Sequence, residues 1–265
     1  TYILLIIALV WTIFPVYWMI KSSITVNSEM YVARPSLIAK HYTFENYVDL
    51  FTKTEFPRAL LNSLMIAFLT TVCCLLISIL GSYAMTRLKY PGRRFFKTSI
   101  IFSYLIPTAV LFVPMYVFVS KLGFYDNKWA LLIIYPTTVV PYCCYMLMSY
   151  FKAIPYALEE AALIDGCTRM KSLRYIITPI ALPGIAVVAT FAFTMSWNEY
   201  LYAMIMTTSP AQQTAVVAIS SFKYADSAIW GRIMAASVLT SLPVTIIYIV
   251  AQAQLISGKS DGSVK

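Results

Sequence analysis

Residues 152–183, KAIPYALEEAALIDGCTRMKSLRYIITPIALP, carry the most organised chemistry in the chain. Glu160 is followed by two small residues, Ala161 and Ala162, and then by Asp165-Gly166. These groups supply neither a nucleophile nor a ligand set. Carboxylates beside alanines make a surface that another body can approach closely, and glycine at 166 permits the positive φ of a turn. The chemistry is recognition, and physics alone leaves two forms of it open. The stretch docks a partner, or it rests on lipid headgroups as an amphipathic connector.

A second candidate is Trp197-Asn198-Glu199. Glu199 is the one acidic residue well inside an apolar run, where a carboxylate is costly and marks a functional position by default. A hydrogen bond to a neighbouring helix, or a place at the watery edge, are the structural alternatives. The single histidine, His41, reads as a solvated loop residue. The five cysteines, Cys73, Cys74, Cys143, Cys144 and Cys167, have no metal-site spacing, and four lie in apolar runs where cysteine acts as a small hydrophobe. No metal ligand set and no disulfide framework are expected. No GxxxxGK[ST] loop is present, so any ATP must be handled by another chain.

The elements that position these groups follow from composition. Of 265 residues, 60% are hydrophobic and 12% charged. Soluble domains carry roughly twice that charged fraction. The excess apolar surface calls for lipid as solvent, so an all-α, polytopic membrane protein is expected. Six apolar runs are long enough to span, at about 2–20, 60–85, 99–119, 129–151, 181–206 and 230–256. Prolines at 15, 107, 114, 136, 141 and 243 favour kinks within them. The chain begins inside an apolar run without a basic n-region or cleavage site, so a signal peptide is not expected and a short leader is expected to be missing.

Orientation follows from Lys and Arg. The 86–98 and 152–180 loops and the tail from 257 hold Arg87, Lys89, Arg93, Arg94, Lys97, Lys152, Arg169, Lys171, Arg174, Lys259 and Lys265. The opposite side is longer and less basic, which places the first set in the cytoplasm with both termini. The net charge of +9 is then an orientation signal, and no basic-aromatic tract for nucleic acid accompanies it. On the outer side, residues 43–51 read as a short amphipathic helix capped by Thr43, lying on the membrane or meeting an external partner.

Within 152–183, a helix begins near Pro155 and ends at Asp165-Gly166. A second begins at Thr168 as N-cap, and Pro179 and Pro183 set the re-entry into the membrane. A stand-alone secondary transporter would show internal repeats or paired intramembrane charges. A membrane enzyme would need a nucleophile or ligand cluster near one face. Neither set is apparent.

EAALIDG at 160–166, followed by Leu173, Ile176, Pro179 and Pro183, resembles the EAA loop of membrane subunits in binding-protein-dependent ABC importers. Within that family the chain is similar to the maltose-type sugar permeases. Thr43-Phe44-Glu45-Asn46-Tyr47, Asn62-Ser63-Leu64, Arg87-Leu88, Gly92-Arg93 and Trp197-Asn198-Glu199 add weaker matches, and the resemblance covers essentially the whole chain. It implies a single importer transmembrane domain over 1–265, with a cytoplasmic coupling helix seated in a cleft of an ATPase. Glu160, Ala161, Ala162, Asp165 and Gly166 would form the docking surface. The tail residues Gly262, Val264 and Lys265 would also reach the ATPase, although Asp261 and the stop at Lys265 depart from the family's ending. The implied partners are a second related permease, an ATPase dimer carrying ATP and magnesium, and an extracellular sugar-binding protein. No cofactor and no catalytic residue is implied for this chain. Trp197, Asn198 and Glu199 stand as pathway candidates.

Overall fold

In a computed structural model, the backbone is described for residues 2–32, 34–222 and 230–260, and side chains through 252. Every regular element among these residues is helical. The chain runs α1 (Tyr2–Ser23), α2 (Asn27–Met30), α3 (Glu45–Thr52), α4 (Phe56–Arg87), α5 (Arg93–Leu105), α6 (Thr108–Lys121), α7 (Ala130–Ala153) and α8 (Tyr156–Ile164). It continues with α9 (Arg169–Ser172), a π turn (Leu173–Ile177), α10 (Thr178–Ile180), α11 (Leu182–Trp197), α12 (Leu201–Met206), α13 (Ala215–Ser221) and α14 (Trp230–Ser260).

Four helices are long and apolar enough to cross a membrane, and the number rises to six if two bent pairs each count as one span. The α5–α6 pair bends by 99°, so the expected span over 99–119 is broken. The cause is local. Pro107 has no N–H to donate and holds Ile106 in extended geometry, φ −72° and ψ 121°, which stops α5. Prolines 15, 114, 136, 141 and 243 stay inside their helices. The expected span over 181–206 is also interrupted, between Trp197 and Leu201.

The described residues form two compact units. In the unit made of 1–63 and 207–245, Leu50 and Phe56 pack with alanines 59, 215, 218, 235 and 236. Helix α3 belongs to this core and does not simply lie on lipid. The Asn46 amide donates to Ser23 O at 3.0 Å and Thr25 O at 3.1 Å, and Asp49 pairs with Arg232 at 3.0 Å. The Thr43 hydroxyl accepts from Glu45 N at 3.1 Å, but it sits one residue ahead of the N-cap position, which Phe44 occupies.

The unit made of 64–206 and 246–265 holds the functional stretch. Its core comes from one face of α7, Val139, Cys143, Leu147 and Phe151, spaced every four residues as a helix face requires. Against it lie Leu173 and Ile177 of the π turn and Ala181, Ile185, Val188 and Ala192 around α11. A Cβ on Gly184 would come within 2.5 Å of the Tyr150 ring, so only glycine allows this approach. Cys74, Cys143 and Cys144 are buried free thiols, filling space as small apolar groups do.

Candidate coupling site

Helix α8 runs Tyr156–Ile164, with Pro155 as its N-cap residue. It ends as the Asp165-Gly166 pair requires. Gly166 takes φ +84°, its N–H bonds Leu163 O at 3.2 Å, and the Cys167 N–H reaches back to Ala162 O at 2.9 Å. This is a Schellman closure, which an L side chain at 166 would strain. Thr168 then accepts from Lys171 N at 3.3 Å and starts α9. The second arm is not a separate short helix. It passes through the π turn to Ile180 and then bends by 82° into α11.

The docking candidates divide on this frame. Glu160, Ala161, Asp165 and Gly166 are exposed on one side of α8 and its cap. Ala162 is 5% exposed and faces the protein, so the outward surface excludes it.

The inward face of α8 holds a carboxylate whose burial and partners the sequence did not signal. Glu159 is 4% exposed. The Tyr83 hydroxyl, on α4, donates to its Oε1. Arg87, also on α4, lies with Nε 3.8 Å from Oε2, and Arg169 lies 3.8 Å from Oε1. The Arg87 side chain is fully buried, whereas Arg169 is 57% exposed, so the Arg87 pair is the shielded one. Arg87 Nη2 also donates to the carbonyls of Phe151 and Ile154, the second at 2.6 Å, and its guanidinium stacks 4.2 Å over the Tyr156 ring. Arg87, counted above among the basic residues of the cytoplasmic loops, is therefore a buried ion-pair residue.

The carbonyls at the end of α4 are also engaged. Arg93 donates to Met85, Thr86 and Leu88 O at 2.8, 3.1 and 3.1 Å. Tyr156 OH donates to Thr86 O at 2.7 Å. A groove of about 910 Å³ opens beside this joint, lined by Lys89, Tyr90, Arg93, Glu160 and Leu163 among others. Spacing gave a partial signal, since Tyr83 and Arg87 are one helical turn apart at the end of an apolar run. Their acidic partner is more than 70 residues away, and no local pattern points to it.

The second candidate group is drawn apart. Trp197 is buried and stacks on Phe193 at 5.5 Å, while Asn198 is exposed. Glu199 accepts the N–H groups of Tyr202 at 2.9 Å and Ala203 at 3.1 Å, closing the first turn of α12. His41 Nδ1 lies 2.6 Å from Glu29 Oε1 in an exposed loop. Gly262, Val264 and Lys265 lie outside the described residues. Among the described residues no group of three His, Cys, Asp or Glu could hold a metal ion.

With this geometry in hand, residues 77–259 match the family described as "Binding-protein-dependent transport system inner membrane component". The chain belongs to this family. It is 36% identical over 97% of its length, and 92% of the relative's, to the inner membrane ABC transporter permease protein YcjP of Escherichia coli. It is 33% identical over 98% of its length and 91% of the relative's to the sulfoquinovosyl glycerol transport system permease protein SmoH of Agrobacterium fabrum. A crystal structure of a bacterial ABC transporter involved in the import of the acidic polysaccharide alginate shares the fold. It superposes with a TM-score of 0.84 at 22% identity, covering 95% of this chain and 94% of the other. As a member of this family the chain is the multi-pass membrane component of an ABC transporter, and ATP hydrolysis belongs to separate ATPase subunits.

Proposed function

We propose that this chain forms half of the translocation pathway of an ATP-driven sugar importer, with α8 as the helix that docks into the ATPase. The observation that carries the reading is the two-sided character of α8. Glu160, Ala161, Asp165 and Gly166 face outward, while Glu159 and Ala162 fix the opposite side to the protein. A docking helix needs both an accessible face and a firm back. The partners are a second related permease, an ATPase dimer and an extracellular binding protein that delivers the cargo. ATP and magnesium are held by the ATPase chains and no cofactor by this one. The excess of Lys and Arg in the 86–98 and 152–180 loops supports a cytoplasmic location for α8 and both termini. The tail residues Gly262, Val264 and Lys265 are assigned to the same ATPase contact on the family resemblance. A carbohydrate cargo is supported by the likeness to a permease named for sulfoquinovosyl glycerol transport. Of the three pathway candidates, Asn198 is the exposed one and the first choice for touching cargo.

The test is coexpression with the second permease and the ATPase, with an Ala161→Cys variant cross-linked to the ATPase. Glu160→Arg should assemble, hydrolyse ATP and lose uptake across a panel of neutral and anionic oligosaccharides. Uptake at the unsubstituted rate by Glu160→Arg would remove α8 from the docking role.

A further inference from the structure

Glu159 adjoins the docking face and points away from it. Its carboxylate meets two residues of α4, Tyr83 and Arg87, and Arg87 in turn holds carbonyls at the end of α7. Replacing such a buried pair by apolar side chains of similar volume is often neutral or stabilising, because desolvating both charges offsets their attraction. What the pair does supply is geometry. Apolar surfaces can slide past one another, whereas a carboxylate bound to a phenol and facing a guanidinium has few permitted positions. Any slip would leave a charge buried without its partner, and that penalty is large. The end of α4 is stiffened in the same way. Its carbonyls at Met85, Thr86 and Leu88 are all taken by side chains, one of them from Tyr156, the first residue of α8.

We infer that Glu159, Arg87 and Tyr83 act as a positioning clamp, making α8 and the adjoining end of α4 move as one body when the ATPase displaces α8. This rests on the docking reading of α8. Packed elements move between discrete arrangements and do not bend smoothly, so a fixed joint passes displacement into the span where a loose one would absorb it. None of the three residues touches cargo or nucleotide in this scheme. They act by holding α8 against α4.

The assembled transporter tests it, with spin labels at Leu158→Cys on α8 and Leu80→Cys on α4, in a background carrying Cys73→Ser and Cys167→Ser. Both label positions are exposed. The label-to-label distance is measured without nucleotide and after trapping with ATP and orthovanadate. With the clamp intact, one narrow distance is expected in both states. In Glu159→Leu the distribution should broaden and shift on trapping. Sugar transported per ATP should fall several-fold while Ala161→Cys still cross-links to the ATPase. Tyr83→Phe with Glu159→Gln keeps the shape of both side chains and serves if Glu159→Leu does not assemble, with a smaller shift expected. An intact-clamp distance that changes on trapping overturns the proposal, as does a Glu159 variant that behaves like the parent. Absence of the Ala161→Cys cross-link in the parent overturns the docking reading, and the clamp with it. A cross-link that forms while the distances contradict the clamp overturns the clamp alone.

Discussion

Tyr83 donates its phenol to Glu159 across 76 residues of sequence, in a buried site that joins α4 to α8. The Arg87 guanidinium faces the same carboxylate from one turn further along α4. Removing one charge should cost far more than removing both. Arg87→Met leaves Glu159 buried with only a neutral donor and an exposed arginine, and should lose about 3–5 kcal/mol. Arg87→Met with Glu159→Met should lose clearly less. Thermal unfolding of the assembled complex in detergent, with Glu159→Met completing the cycle, measures the coupling, and a double loss equal to the sum of the two single losses would mean that the charges do not interact.

Gly166 is a backbone requirement and not a matter of space, because a Cβ there would meet nothing within 4 Å. Gly166→Ala should therefore cost about 1 kcal/mol, from the left-handed φ alone. Gly166→Asn should cost less. Gly166→Pro also removes the N–H bonded to Leu163 O, and should release the last turn of α8. Amide exchange over 156–164 reads all three, in the order Asn, Ala, Pro.

Glu199 holds two first-turn N–H groups of α12 with its two oxygens. Glu199→Gln keeps one acceptor and should cost about 1 kcal/mol, and Glu199→Ala somewhat more. If the residue is a helix cap, uptake per assembled complex stays unchanged in Glu199→Gln. A drop in uptake at constant assembly would return Glu199 to the pathway.

The contact at Gly184 is steric. Gly184→Ala drives a methyl into the Tyr150 ring and should destabilise by about 1–3 kcal/mol. Tyr150→Ser made alongside it should recover part of the loss, whereas Tyr150→Ser alone leaves a gap. Unfolding midpoints of the three variants decide between overpacking and a backbone effect.

Asp49 supplies the pH dependence. The hydrogen bond to Lys53, helped by Arg232, holds its carboxyl below the ordinary aspartate value of 3.8 against the opposing effect of desolvation. A depressed folded-state pKa stabilises at pH above the unfolded value, and the contribution disappears as pH falls through the lower folded value. The anchoring of α3 should be complete at neutral pH and fade only below about pH 4. Asp49→Asn should remove that acid sensitivity, checked by fluorescence-detected unfolding between pH 3 and 7.

The membrane class, the apolar segments and the cap at Gly166 were legible in the sequence, because each depends on local composition or one backbone angle. The EAALIDG run gave the family, which its match over 77–259 then bore out. The break at Ile106 was only half legible. Pro107 was visible, but five other prolines of the same kind stay inside their helices, so residue type alone does not say which one breaks a span. The burial of Glu159 and Arg87 was not legible. A charge beside a basic loop looks solvated until a distant partner is placed against it, and pairing at that separation leaves no spacing to read. Glu199 was legible only as a choice between a functional and a structural role. Its residue type signals function inside an apolar run, while the helix start two residues later gives it a local task.

That task has an electrical consequence. The one acidic side chain of the 181–206 segment directs its charge at two peptide dipoles of its own chain. Two N–H dipoles offset part of that charge without cancelling it. Glu199→Gln therefore changes the local field as well as the helix start, and comparing uptake of a neutral and an anionic sugar by that variant separates the two.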